Sequence, residues 1–312
     1  MAAPAAEQRH TPRFELGPQR IVQMDGSELV RVGARPGFFQ YLRDIWRFRH
    51  FLQYDAHART SSQNNLDSMG RVWMVINPLL QAAVYFFIFG YILETHRDVV
   101  NFIGYLIIGV LTFRFIQGAV TSGSNSIAGN QNVVQSFNFP RACLPISATV
   151  RELFATVPTF VVMALLVYFI GDYQVGDMER ADITLDWKWL MFFPAIFLAL
   201  LVMTGLGLIL ARIVAHFNDM KHIIAIGVRL WFYASAVIFS VDRFADRGHD
   251  WIITVMHFNP AFCVLDIIRD AWLYDGLGDP FRWLVLGGWA VGALTIGMVI
   301  FWRGEETYGR ER

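Results

Sequence analysis

Apolar residues along this chain gather into long runs rather than helical stripes. Six such runs, each of about 20 residues, occupy 73–93, 101–120, 146–170, 189–213, 222–241 and 281–302. A helix rises 1.5 Å per residue, so each run can span the roughly 30 Å hydrocarbon core of a bilayer. Six membrane-crossing helices are therefore expected. In the third run Arg151 and Glu152 fall in the first turns, where long charged side chains reach back to the headgroups. No long apolar run precedes Trp73, so no cleaved signal peptide is expected and the first membrane segment begins there.

The stretches between the runs carry patterns of their own. Within 36–59, Phe38, Leu42, Ile45, Phe48 and Leu52 recur at three- and four-residue steps, with Arg43, Arg47 and Arg49 between them. This spacing predicts an amphipathic helix, either lying at a membrane surface or packed on a partner. Residues 1–35 show no sustained period and read as a flexible arm, 36–72 as the amphipathic helix and its linker, and 304–312 as a tail. In the loop 242–280, Asn259-Pro260 is a helix-start signal. After it, Phe262, Leu265, Ile268 and Trp272 follow at helical spacing, interrupted by Asp266, Arg269 and Asp270. That helix is too short and too charged to span. It is expected to be re-entrant, buried in protein at membrane depth, or else to lie passively on the lipid surface.

Composition agrees and adds orientation. Of 312 residues, 55% are hydrophobic and 17% charged, which excludes an ordinary water-soluble globule. The 26 basic and 26 acidic residues cancel, so nothing points to nucleic acid as a partner. Their placement is uneven. The N-terminal segment, the loops after the second and fourth runs and the tail hold 16 basic residues against 11 acidic; the alternate loops hold 6 against 14. By the positive-inside rule both termini are expected in the cytoplasm. Cys143 and Cys263 then lie on opposite sides of the membrane and are expected to be free thiols.

Several chemistries have no residues to carry them. The two lysines, Lys188 and Lys221, follow Trp187 and Met220, so no Gly-Lys of a phosphate-binding loop exists. His-Glu-x-x-His, paired-Cys and Gly-x-Ser-x-Gly patterns are also missing. Among ionisable groups only Arg229 lies deep within a run, about 10 Å past His222, while Arg114 is close enough to the end of its run to snorkel. No carboxylate is expected at a comparable depth, so Arg229 reads as a packing or cavity-lining residue rather than part of an ion relay. Asp266, Asp270, Asp275 and Asp279 form the one dense acidic set. A membrane-bound lipid or glycosyl transferase would need such a cluster, but the spacing reads more simply as a solvated face.

The ordered motifs resemble the membrane permease subunit of type-2 ABC exporters for cell-envelope polysaccharides of the O-antigen, teichoic acid and galactan kinds. Leu66-Asp67-Ser68-Met69-Gly70-Arg71-Val72-Trp73, followed by Asn77-Pro78-Leu79, is similar to the family's entry into its first helix. Asn138-Phe139-Pro140-Arg141 with Leu144-Pro145 resembles its inner Phe-Pro-Arg segment, and Asn259-Pro260 the opening of its outer gate helix. Phe217-Asn218-Asp219-Met220 resembles the short loop before the fifth helix, with Asn218 where the family has Arg.

The resemblance implies an all-α integral membrane protein with six transmembrane helices per protomer, an N-terminal cytoplasmic amphipathic interface helix and a re-entrant outer gate helix between the fifth and sixth. It implies a homodimer working with two copies of a separate ATP-binding cassette ATPase, which holds the ATP and Mg; this chain needs no cofactor or metal. Coupling to that ATPase falls to Asn130, Phe139, Pro140 and Arg141. The path of a lipid-linked polysaccharide runs along the first and fifth helices, by Tyr85, Phe86, Phe87, Phe89, Tyr91, Arg229, Trp231, Phe232 and Tyr233. The outer gate comprises Asn259, Pro260, Phe262, Leu265, Ile268 and Trp272. The other readings are a type-2 exporter of drugs or small lipids and, in a different class, the transferase considered above.

Overall fold

A computed structural model describes residues 37–49, 71–92, 99–136, 139–171, 182–241 and 250–305. The arm 1–35, the part of the amphipathic stretch beyond Arg49 and the tail from 306 lie outside the described residues. Every regular element described is helical. In chain order they are α1 (Phe38–Arg47), α2 (Arg71–Tyr85) with a π-helical continuation (Phe86–Ile92), α3 (Phe102–Asn125), a 3₁₀ turn (Ala128–Asn130) leading into α4 (Gln131–Ser136), and α5 (Cys143–Ile170). A 3₁₀ turn (Trp187–Met191) then opens α6 (Phe192–His216), followed by α7 (Met220–Tyr233), α8 (Asp250–His257), α9 (Pro260–Leu273) and α10 (Pro280–Arg303).

Among the described residues, four helices are long and apolar enough to cross a membrane: Phe102–Asn125, Cys143–Ile170, Trp187–His216 and Pro280–Arg303. They differ in burial. The most apolar stretch of α3 is 78% buried, while those of α5 and α10 are 28% buried. Helix α3 is thus the axis of the core, packed by α5, α6 and α9, whereas α5 and α10 present most of their apolar surface outward. An outward apolar face is what a hydrocarbon surround requires. Small residues let α6 approach α10 closely: a Cβ on Gly297 would fall 2.5 Å from the Gly205 carbonyl oxygen. Close backbone approach of this kind substitutes for a hydrophobic driving force between helices in lipid.

Three expected segments take forms that periodicity did not foresee. The first run is α-helical only to Tyr85 and continues as a π-helix from Phe86. The fifth is helical from Met220 to Tyr233 and then turns through 234–241 as irregular chain. Ala236 sits there in the left-handed region, at φ 48°. The loop 242–280 contains α8 and α9, of which Trp251–His257 and Pro260–Leu273 bend by 84° as a broken span or re-entrant pair.

Helix α9 begins where Asn259-Pro260 predicts. Asn259 caps it by accepting from Ala261 N–H at 3.1 Å, and Pro260 occupies the first turn, where a missing N–H costs nothing. The helix does not lie passively on a surface, because twelve of its fourteen residues are buried, Arg269 among them.

Candidate functional site

The first and fifth apolar segments meet through their aromatic residues. Tyr85 stacks on Phe232 with ring centroids 5.5 Å apart, and Phe113 of α3 closes on Phe232 edge-on at 5.2 Å and on Trp231 at 6.0 Å. Phe86 packs toward Phe102 at 6.5 Å, and Phe89 lies near Tyr85 at 6.3 Å. These rings belong to the packed interior. Phe87 and Tyr91, stacked on each other at 5.8 Å, face outward with Tyr233 and Arg229. The nine candidates for a path therefore divide into an inner set that joins the two helices and an outer set of Phe87, Tyr91, Arg229 and Tyr233.

Trp231 bridges this region to the bend between α8 and α9. Its indole N–H donates to Asn259 Oδ1 at 2.8 Å, and the Asn259 amide donates to Ala234 O and Ser235 Oγ, each at 3.0 Å. One side chain thus caps α9 and satisfies the carbonyl where α7 ends. Beside it opens an apolar cavity of about 580 Å³, walled by Gly227, Val228, Trp231, Met256, Pro260 and Trp289.

Helix α9 itself is anchored on every side. Trp272 stacks on Trp189 at 4.5 Å and donates to its carbonyl at 3.2 Å; Leu265 and Ile268 are fully buried, and Phe262 stacks with His257 at 5.9 Å. The acidic set does not converge on a common point, nor is it a uniformly solvated face. Asp266 and Asp270 turn to Arg282, which reaches Asp270 at 3.3 Å. Asp275 pairs with Lys188 at 2.6 Å, and Asp279 caps α10 through Phe281 N–H at 2.9 Å. Asp266 and Asp270 thus share one partner, while Asp275 and Asp279 serve elsewhere.

Arg269, which reads from the sequence as one charge in that set, is 1% exposed. It donates to Tyr105 O at 3.2 and 3.3 Å, Ala236 O at 3.0 Å and Val237 O at 2.9 Å, and its guanidinium lies 3.3 Å over the Tyr105 ring. Tyr105 OH adds bonds to Ala236 O at 3.0 Å and Phe239 O at 2.7 Å. Irregular backbone buried away from water must find donors within the protein, and this pair supplies them to the carbonyls of Ala236, Val237 and Phe239. Sequence reasoning passed over Arg269 because helical spacing cannot tell a buried arginine from a solvated one. Helix α5 starts at Cys143, so Glu152 stands nine residues in, the same count as Arg229 from Met220. Its carboxylate accepts from Ser122 Oγ at 3.2 Å.

At the other end of α3, Asn130 caps the turn by donating to Ser126 O at 2.7 Å, and α4 follows it with Gln131, Asn132 and Gln135 exposed. Phe139 and Pro140 are half-buried, Phe139 against the cluster of Tyr41, Ile45, Val134 and Phe301. Here α1 contributes more than its apolar stripe predicts: Tyr41, outside that stripe, is its most buried side chain, ahead of Ile45. Tyr41 OH donates to Glu305 Oε2 at 2.7 Å and accepts from Ala142 N–H at 3.1 Å, while Arg141 N–H donates to Glu305 Oε1 at 2.9 Å. The Arg141 guanidinium also donates to the Glu305 carbonyl. Burial pushes the Glu305 carboxyl above its ordinary range, against the lowering effect of the Arg141 and Tyr41 hydrogen bonds; burial likewise pushes the Tyr41 phenol up. Both cysteines are free and buried, and among the described residues no His, Cys, Asp and Glu group has metal-site geometry.

Residues 58–273 match the ABC-2 type transporter family. The chain is similar to the O-antigen export system permease protein RfbA of Klebsiella pneumoniae, 26% identical over 209 residues that cover 66% of this chain and 73% of the relative. It is also similar to the protein of that name in Myxococcus xanthus, 24% identical over 208 residues (66% and 75%). A further relative is the polysialic acid transport protein KpsM of Escherichia coli, 22% identical over 244 residues (76% and 87%).

Proposed function

The chain belongs to the ABC-2 type transporter family, and from that premise we propose that it is the membrane permease of an ATP-driven exporter of lipid-linked polysaccharide. The observation that carries this reading is the aromatic meeting of the first and fifth apolar segments, with Tyr85 stacked on Phe232 and Phe87, Tyr91 and Tyr233 left facing outward. Aromatic faces hold sugar rings through their CH surfaces without fixing one orientation, which suits a polymer that must slide. The relatives' names, O-antigen export and polysialic acid transport, support the substrate class. Two protomers enclose the path between their outward faces, and each crosses the inner membrane six times with both termini in the cytoplasm, following the basic excess of the N-terminal segment. Helix α9 is the outer gate, held at the bend by Asn259.

Energy comes from a separate ATPase in two copies, because the chain's only lysines lack the glycine a phosphate loop requires. The exposed α4 and the turn at Phe139, Pro140 and Arg141 dock on that ATPase, with α1 beside them. ATP hydrolysis should appear only in the co-purified complex, and deletion of the gene should leave the host's glycan undelivered inside the cell. Normal surface glycan in a strain stripped of every candidate ATPase partner would refute the reading.

A further inference from the structure

We propose that Glu305 is a positioning residue that clasps α1 and the turn at Arg141 to the end of α10, so that the docking surface and the last membrane helix move as one body. The proposal rests on the reading of residues 130–141 as the ATPase-docking segment. Glu305 lies just beyond α10, at the end of the last apolar run, where the sequence suggests only a polar tail. It is 8% exposed, and Tyr41 against it is 1% exposed. Its two carboxylate oxygens have different partners from different elements: Oε2 takes the phenol of α1, and Oε1 takes the backbone N–H of Arg141. The Arg141 guanidinium returns to the Glu305 backbone carbonyl, which closes a ring between the turn and the end of α10. Tyr41 is used twice, because its oxygen also accepts the Ala142 N–H. The backbone N–H groups of Arg141 and Ala142 stand immediately before the 28-residue α5, where the helix dipole is positive and an anion is favoured.

Apolar packing follows the same joint. Phe38 of α1 meets Trp302 of α10 edge-on at 5.5 Å, and Phe301 is fully buried with Ile45, Val134, Leu144 and Leu208. A displacement imposed at Phe139, Pro140 and Arg141 therefore reaches α10 through charge-assisted hydrogen bonds, which are short and directional, rather than through apolar side chains that can slip. From α10 it passes to α6, since Gly205 and Gly297 leave no slack between those helices. Glu305 thus acts through other groups: it touches neither substrate nor nucleotide, and its work is to keep the docking segment in register with the helix that moves.

The test uses the full chain co-expressed with its ATPase in a strain lacking the chromosomal copy. Surface polysaccharide is read by periodate staining and ATP turnover is measured on the co-purified complex. Glu305→Ala should leave recovery of the complex and ATP turnover close to wild type while glycan delivered per ATP falls about tenfold or more, since it removes two hydrogen bonds to the carboxyl and a single one is worth about tenfold. Tyr41→Phe, which removes one hydroxyl and keeps the ring, should lower the same ratio by a smaller factor. Joining Phe38→Cys to Trp302→Cys with a short bismaleimide linker, each thiol adding across one maleimide double bond, in the Glu305→Ala chain should restore the ratio; the native thiols are buried. A residue that merely held the fold together would lower recovery of the complex and leave delivery per ATP unchanged in what assembles. If Glu305→Ala assembles poorly, Tyr41→Phe decides. A wild-type ratio in whichever variant assembles overturns the clasp while leaving the proposed function intact, whereas a wild-type chain that captures no ATPase overturns both.

Discussion

The two ends of α3 are braced by buried ionisable side chains of opposite kind, an arginine and a glutamate, whose hydrogen bonds go to backbone groups and a phenol rather than to an opposite charge. Near its start, Arg269 is satisfied by backbone carbonyls of Tyr105, Ala236 and Val237 and by the Tyr105 ring. Beyond its end, Glu305 is satisfied by the Tyr41 hydroxyl and a backbone N–H. In each case the side chain complements a helix terminus: a donor where the chain leaves the C-terminal end of α7, an acceptor where it enters the N-terminal end of α5. Orphan carbonyls and orphan N–H groups demand opposite charges, and the macrodipole favours the same choice. The difference lies in coverage. Arg269 is sealed at 1% exposure and holds irregular chain, including the left-handed Ala236; Glu305 retains 8% and holds separate elements together. The first is a rigid plug and the second a joint.

Substitutions can break that contrast. Arg269→Ala should have the largest effect, about 3 kcal/mol or more, because it removes four hydrogen bonds to buried carbonyls, of which the Tyr105 hydroxyl still reaches only that of Ala236. Thermal unfolding of the purified complex reads it, and a loss no larger than that of Glu305→Gln would erase the distinction between plug and joint. Gly109→Ala comes next, at about 1–3 kcal/mol, since a Cβ there would meet Arg269 Nη2 at 2.5 Å and Val237 O at 2.7 Å. If Gly109→Ala melts like wild type, the plug is looser than its contacts imply. Tyr105→Phe should cost about 1 kcal/mol, the net worth of its hydroxyl bonds, with a matching gain in hydrogen exchange confined to 236–239. Exchange rising equally throughout the bundle would contradict a local role.

The smallest effect is a pH dependence at the joint. Burial raises the Glu305 pKa above its ordinary value, so the folded state there binds the proton more tightly than the unfolded chain. The stabilisation from this proton is fully present below the ordinary carboxylate range and is lost as pH rises through the raised value. Tyr41, Arg141 and Cys143 are the groups facing it, and the Tyr41 phenol stays protonated across that window because its own pKa is raised. Melting temperature should fall modestly as pH climbs from the ordinary carboxylate range toward neutrality in the wild type, and this component should vanish in Glu305→Gln. An identical profile in the two proteins would show the carboxyl to be unperturbed.

How much of this was legible in the sequence varies by element. Apolar runs located α3, α5, α6 and α10 to within a few residues, because length and hydropathy are local properties. Asn259-Pro260 announced the start of α9, since a cap uses only neighbours in the chain. The end of α7 at Tyr233 was not legible: the residues after it, Ala234 to Val241, are as apolar as a helix needs, and the break depends on Arg269 and Tyr105 supplying donors from far along the chain. Tyr41 was missed for a similar reason. The apolar stripe selects Phe38, Leu42 and Ile45, but a phenol belongs in a core only when a partner meets its oxygen, and that partner is 264 positions away.

The six candidate spans, the basic excess of the N-terminal segment, the missing nucleotide loop and the family motifs follow from the sequence by itself, because transfer to lipid, charge placement and short motifs are properties of contiguous residues. Tertiary structure alone decided which charges are buried and what they hold. Whether an arginine faces water or three carbonyls, or a glutamate near the C-terminus is a tail or a clasp, depends on the free energy of desolvation set against the donors or acceptors brought to it. Those partners come from elements the sequence does not order in space.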